Sequence, residues 1–511
     1  MSRRDKMGTF NLLDEAWIPV NMLDGTKRNL GLKDIFRTAG SILAVEHTSP
    51  LVVGSVYRLL LAVLYRALEG PSSPAEASRI FAEGLSRKLA DIEEYLERWR
   101  GRFFLFDEEY PFFQVPDYIP KSRRYWTALA AEMNDDNSKV LFDHTSFEGL
   151  QDNFMVLDSI GHGEVALFLL ATQAFSVCKG KSEFMYTKGA PIASLATFIV
   201  QGASLEDSLL LMLYPYPNKE MQQTDQPIWE RAPLKAGQLK DGISQEISGY
   251  ANLYTWMSRS VKLLVEGDGK VHSIGLASGV VNVNTSNLED PMCGFRTDQK
   301  FGRLPLQFGE RGLWRNFDSL IPSSSSNCAP KVVENAVAVI IRSEKHSVFS
   351  LLAVGQSNDK AKIEFWRQEK YSMPEAIFSN LDARGTVQLA IRLAEDYSQP
   401  LIGACRTYAK KMLSTGERDP DMKDVSSFLK SATAIQDYWT GAEKGFHELL
   451  SAMDAQFDPD AAEEAWRKHL TRTIWRSWRN YMASQTGIRS VVAQAHGERT
   501  LRIKLSSVSP Q

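Results

Sequence analysis

Cysteine is scarce in this chain. Its 511 residues include four, Cys178, Cys293, Cys328 and Cys405. No two form a CxxC pair, so neither a zinc ribbon nor a disulfide framework is indicated. Such usage suits a reducing compartment. The eight histidines do not cluster at metal-ligand spacing. Long apolar runs are also missing. The greasiest segments are Ser55–Leu68, interrupted by Arg58 and Arg66, and Glu164–Phe175, too short to span a bilayer. The N-terminus begins basic but lacks the apolar core of a signal peptide. A cytoplasmic protein with no membrane partner is expected.

Catalytic signatures are equally lacking. Gly180-Lys181-Ser182 resembles the end of a phosphate loop, but Phe175 occupies the position of the required earlier glycine. Without that glycine the backbone amides cannot cradle a phosphate. His447-Glu448 opens a zinc-protease pattern that Ser451 breaks, and no GxSxG or GxGxxG run occurs. Asp143-His144 is an isolated acid–histidine pair, more in keeping with a loop hydrogen bond than with a base and its orienter. No enzyme, cofactor or metal is expected from these residues.

What is present points to a polyanion or to a protein partner. Hydrophobic content of 43% and charged content of 24% are those of a globular protein, long enough for two or more domains. The formal net charge is −3, but from Arg467 onward nine Lys or Arg face one acid, Glu498. That end carries +8 and the preceding 466 residues −11, a polarity that hints at a negative partner.

The opening segment reads as strand, Asp24-Gly25 turn, strand and helix start. Ser49-Pro50 precedes a helix to about Leu68, and Leu85–Arg100 is a second amphipathic helix. From Gly101 to about Met373 short apolar runs alternate with turn clusters. Beyond about residue 380 helical periodicity takes over. Leu389, Leu393, Tyr397, Leu401, Cys405, Tyr408 and Met412 form one stripe, with a kink expected at Pro400. Phe428, Ala432, Ile435, Trp439, Phe446 and Leu450 form a second. A third helix opens at Asp458-Pro459, and a fourth spans about Arg489–Lys504. The fold class is therefore α+β, with a large mixed N-terminal domain (1–380) followed by a C-terminal four-helix bundle (381–511).

In the third helix Trp466, Leu470, Ile474, Trp478 and Tyr481 share one face, and Arg472, Arg476 and Arg479 the opposite one, with Trp475 between them. The tryptophans read as core. The arginine row is either a solvated face or a ridge that meets successive phosphates.

FNLLDEAWIPV (Phe10–Val20) resembles the N-terminal signature of the CasA family, the large subunit of the type I-E CRISPR surveillance complex, Cascade. FFLFDEEYPFFQ (Phe103–Gln114) is similar to that family's FxLxxxxxPFxQ element, and LFDHTSFEG (Leu141–Gly149) to its first DNA-proximal loop. DPMCGFRTDQKF with GLWRNF (Asp290–Phe301, Gly312–Phe317) is similar to its central segment. The resemblance runs along essentially the whole chain and rests on the ordered combination.

It implies a non-catalytic subunit that reads the protospacer-adjacent motif of double-stranded target DNA from the minor groove and starts strand separation. Guide RNA would then read the sequence. Its partners would be the other Cascade subunits with CRISPR RNA and the helicase-nuclease. By the same resemblance the glycine loop falls at Ser176, Val177, Cys178, Lys179 and Gly180, where only Gly180 keeps the family pattern. The lysine finger falls at Lys300. The strand-separating wedge is a hairpin tip at Gln356–Lys360, including Asn358 and Asp359, with Lys360 or Gln356 at its point. Phe142 and His144 occupy the DNA-proximal loop, and Arg472, Arg476 and Arg479 would form a basic bundle face. The competing expectation is a protein-binding scaffold that does not read DNA.

Overall fold

The computed structural model describes residues 10–119, 126–127, 161–177, 184, 189–265, 269, 271–283, 288–309, 311–323, 327–343, 349–359, 362–414, 418–453 and 457–508. The chain divides into two compact units, one of Met1–Arg311 with Pro322–Tyr371, the other of Gly312–Ile321 with Ser372–Gln511.

The first unit opens with the hairpin that the Asp24-Gly25 pair predicts. Strands β1 (Ile18–Met22) and β2 (Lys27–Leu30) pair antiparallel, and β3 (Ile42–Val45) adds to the other side of β1. Asp24 accepts the Thr26 amide and hydroxyl, at 2.8 and 2.6 Å, while Gly25 takes φ +83°. Ile18, Val20 and Met22 point to the core, the period-2 pattern of a half-buried strand.

Helix α1 (Pro50–Ala67) starts on a proline whose missing N–H leaves no donor unsatisfied. It is long and apolar enough to cross a membrane, yet 89% of that window is buried inside the unit. Its arginines have partners within the unit: Arg58 pairs with Asp290, and Arg66 reaches both carboxylate oxygens of Glu230 at 3.0 and 2.9 Å. It packs against α2 (His162–Phe175), which is buried from Val165 onward.

Strand β4 (Thr197–Gln201) follows, then the antiparallel pair β5 (Arg259–Val265) and β6 (Val271–Ser278). A short hairpin is formed by β7 (Phe295–Asp298) and β8 (Gly302–Pro305). Two long strands close the unit, β9 (Phe349–Asp359) and β10 (Lys362–Met373), in a sheet ordered β10-β9-β4. β9 meets β4 antiparallel from Ser350↔Gln201 to Val354↔Thr197.

The second unit is helical: α3 (Leu381–Leu413), α4 (Met422–Lys430), α5 (Thr433–Ser451), α6 (Pro459–Ala483) and α7 (Ile488–Val508). Asn380 caps α3 by accepting the Asp382 and Ala383 amides, and α3 runs through Pro400 as one helix. Tyr438 of α5 and Trp466 of α6 donate to the Ala394 and Ala390 carbonyls of α3 at 2.6 and 3.0 Å.

Three expectations are corrected here. The second stripe is not one helix, because the chain breaks at Ser431-Ala432 into α4 and α5. The buried face of α5 is Ala434, Tyr438, Gly441, Ala442, Gly445, Phe446 and Leu450 rather than the Ile435–Trp439 line. Gly441 and Gly445 explain the rotation: a Cβ at either would stand 2.6 Å from Arg476 or 2.3 Å from His469, so α6 lies against bare backbone there. Finally, the helical unit begins at Ser372 and also takes in Gly312–Ile321. Trp314 packs on Trp439 and Phe446, and Arg315 pairs with Glu395. Apolar contact therefore assigns that segment to the helices, although a run of mixed sequence separates the two.

Candidate nucleic-acid interface

Lys300 lies in the turn of the β7–β8 hairpin. The sequence TDQKFG builds that turn from an acceptor and a glycine: Asp298 Oδ1 takes the N–H groups of both Lys300 and Phe301 at 2.9 Å, and Gly302 adopts φ +75°. The Phe301 and Lys300 amides, then the nearby Arg296, hold the Asp298 carboxyl below the usual aspartate value. Lys300 is exposed, with Nζ 5.1 Å from the Phe301 ring centroid. Lower down, the Arg303 guanidinium covers Phe295 at 3.4 Å while pairing with Glu289 and donating to the Asn327 carbonyl.

The root of this hairpin is tied to one short segment, 190–198. Phe198 donates to the Met292 carbonyl at 2.7 Å, and Ala196 to that of Leu306 at 2.9 Å. The same segment receives the far end of β9. Gln356 Nε2 donates to the Ala193 carbonyl at 2.8 Å, and the Ser194 hydroxyl to Asn358 Oδ1 at 2.7 Å. It also receives the chain leaving α2, because Ala190 donates to Ser176 and Ile192 to Ala174. Thus the root of the lysine hairpin, the end of β9 and the start of the Ser176 loop converge on this one stretch, although they lie far apart in sequence.

Gln356 is corrected by this geometry. It belongs to β9, is 1% exposed, and spends both Nε2 hydrogens on the carbonyls of Phe175 (2.7 Å) and Ala193. A side chain committed in this way cannot be the point of a wedge; it anchors β9. Asn358 is also turned back, onto Ser194. Asp359 ends β9 and Lys362 begins β10. Lys360 lies outside the described residues.

Ser176 and Val177 begin the expected glycine loop, and Cys178, Lys179 and Gly180 lie outside the described residues. Both described residues are clamped through their backbone. Arg259, buried on β5, donates to the Ser176 carbonyl at 3.0 Å and the Val177 carbonyl at 2.7 Å. Val177 packs with Ile363, Phe365 and Trp366 on β10. The loop root and the β9–β10 hairpin therefore form one packed body. Phe142, His144 and the Asp143-His144 pair lie outside the described residues.

On the helical unit the face assignment holds. Trp466, Leu470, Ile474, Trp478 and Tyr481 are buried, Trp475 is half-buried, and Arg472, Arg476 and Arg479 are exposed. Among the described residues none of the three arginines forms an ion pair, whereas Arg467 and Lys468 on the same helix pair with Glu463 and Glu464. Arg479 donates to the Trp475 carbonyl of its own helix, and Arg502 of α7 lies over the Trp475 ring at 5.1 Å.

Two groups of residues escaped the sequence reading. Arg259 and the Arg58–Asp290 pair act through partners 82 to 232 positions away, and no local pattern reveals such a choice. The only signal was an arginine inside an apolar run, at Arg58, since a buried guanidinium demands a counter-charge. Phe301 carries a signal of its own, a large aromatic in a turn beside glycine.

Comparison with known proteins agrees with this fold along the chain. The family described as CRISPR-associated protein Cse1 matches residues 11–477. The CasA/Cse1 protein of Thermus thermophilus is 32% identical over 506 residues, 96% of each chain. The crystal structure of Thermus thermophilus CasA superposes with a TM-score of 0.82 at 29% identity, covering 98% of this chain and 100% of that one. A chain of a CRISPR RNA-guided surveillance complex shares the fold, with a TM-score of 0.72 at 19% identity, covering 97% of this chain and 99% of that one. With a family match over most of its length and a relative at this identity, the chain belongs to the CRISPR-associated Cse1 (CasA) family.

Proposed function

We propose that this protein is the large subunit of a type I-E Cascade complex, acting in the cytoplasm without catalysing a reaction. In this reading it recognises a short motif in double-stranded DNA, begins strand separation for the guide RNA, and offers a platform to the helicase-nuclease. The observation that carries the reading is the convergence on 190–198 of the Lys300 hairpin root, the β9 end and the Ser176 loop start. A rigid common base is what three short contact elements need if they are to meet one few-base-pair site together. Lysine at an exposed turn can reach the minor-groove acceptors, purine N3 and pyrimidine O2, whose degenerate pattern suits tolerant motif reading.

The wedge is assigned to the connection between Asp359 and Lys362, with Gln356 anchoring β9 behind it. The C-terminal helices are read as a four-helix bundle in which α3, α5, α6 and α7 are the long members. The test is Lys300→Glu in the assembled ribonucleoprotein complex, assayed against a library of motif-bearing duplexes. Loss concentrated on motif-bearing targets is expected; binding equal to the unmodified complex would remove the reading.

One observation favours a second reading, the exposed row of Arg472, Arg476 and Arg479 with no ion pair among the described residues, which suits an acidic protein surface as well as phosphate. A scaffold that does not read DNA would need this row for assembly and not for DNA affinity.

A further inference from the structure

Phe301 stands out among the exposed side chains. It is 66% exposed and is the one aromatic among the large apolar side chains exposed in the described residues. The turn does not require it. Asp298 is satisfied by the backbone N–H of position 301, whatever its side chain, and Gly302 supplies the positive φ. A polar residue would close the same turn and avoid an apolar ring in water. The ring is also held on a stiff mount. The turn is fixed by two hydrogen bonds, and the stem by the Arg303–Phe295 stack and the Arg303–Glu289 pair.

We propose that Phe301 is a DNA-contacting residue that enters the minor groove beside Lys300 and presses on the base step next to the recognised motif. This rests on the DNA-reading function proposed above and assigns that contact a second residue. The chemistry is that of a paired probe: an ammonium for the acceptors on the groove floor and, 5.1 Å away, an apolar ring for sugar edges and an unstacking base step. An aromatic wedge suits a duplex because each base step offers flat apolar surface once opened. The occupant is argued to be DNA because the ring stands beside a cation with no neighbouring apolar side chain exposed on the turn. A protein-binding site normally surrounds its aromatic anchor with further apolar contacts.

The experiment compares Phe301→Ala, Phe301→Trp and Lys300→Glu in the fully assembled complex. Each is tested on a motif-bearing duplex and on the same target with the bases beside the motif already mismatched, with 2-aminopurine at the adjacent step reporting unstacking. Phe301→Ala should bind the duplex about tenfold or more weakly and give a reduced 2-aminopurine signal. It should bind the pre-opened target nearly normally, and Phe301→Trp should retain function.

If Lys300→Glu fails on motif duplexes while Phe301→Ala behaves as the unmodified complex, this inference is wrong and the motif-reading function stands. If the unmodified complex itself shows no motif preference, that function falls. If Phe301→Ala dissociates from the complex, or weakens duplex and pre-opened targets alike, the ring contacts another subunit or general backbone, and the inference is overturned.

Discussion

Replacing Arg58 by methionine tests how the lysine hairpin is held. Arg58 sits in the middle of α1, 1% exposed, with Nη1 2.5 Å from Asp290 Oδ2 and Nη2 3.3 Å from the Leu253 carbonyl. Its guanidinium lies 4.4 Å from the Tyr254 ring centroid. Asp290 accepts the Met292 amide with its other oxygen, at 3.0 Å, and Met292 in turn accepts from Phe198 at the hairpin root. Methionine keeps most of the volume but strands a carboxylate in the interior, so a loss of about 3–5 kcal/mol in stability of this unit is expected.

Arg58→Met with Asp290→Leu removes both charges and forfeits the cap on Met292, worth about 1 kcal/mol. Since a buried pair replaced by apolar groups is often near neutral, the double variant should lie within about 2 kcal/mol of the unmodified protein. The assay is urea unfolding of the four proteins of this cycle, read by near-ultraviolet circular dichroism, with amide exchange of α1 and β7 to assign the transition. The reasoning is refuted if Arg58→Met costs less than about 1 kcal/mol, the range of an exposed pair. It is equally refuted if the double variant is as unstable as the two single losses combined.

Other expectations concern the contact elements. Asp298→Ala removes the acceptor for two turn amides, so exchange of the Lys300 and Phe301 amides should quicken about tenfold, with binding to motif duplexes reduced and the complex intact. Because the Asp298 carboxyl is held below its ordinary value of 3.8, its support of the turn is full above that value. Support should be lost as pH falls through the lower folded value, which the same amide exchange followed by NMR would reveal. Replacing Arg472, Arg476 and Arg479 together by alanine should leave folding stability unchanged. If these residues meet phosphates, the slope of log affinity against log salt should fall by up to about three units; an unchanged slope with failed assembly would assign the row to a protein partner.

Local chemistry made part of this protein readable before its structure. The Asp24-Gly25 hairpin, the start of α1 on Pro50, and the buried Trp466–Tyr481 face of α6 are set by φ preferences and side-chain period within a few residues. The lysine turn carries the same kind of signal, an acceptor and a glycine in TDQKFG, although only the family resemblance singles out Lys300. The buried face of α5 was not legible in this way. Apolar spacing counts a glycine as blank, whereas Gly441 and Gly445 are where α6 approaches and so decide which face is buried.

Tertiary structure alone decided what the long-range partners are. The family resemblance places Gln356 at a hairpin tip. Only the folded chain brings the carbonyls of Phe175 and Ala193 beside β9, where they accept both hydrogens of the Gln356 amide. Arg58 looked like a flaw in an apolar helix until Asp290, 232 positions away, met it. Periodicity and turn chemistry act over one or two turns of chain and are written in neighbouring residues. Which buried donor finds which buried acceptor depends on the whole fold having closed around both, because only exclusion of water makes that choice energetically decisive.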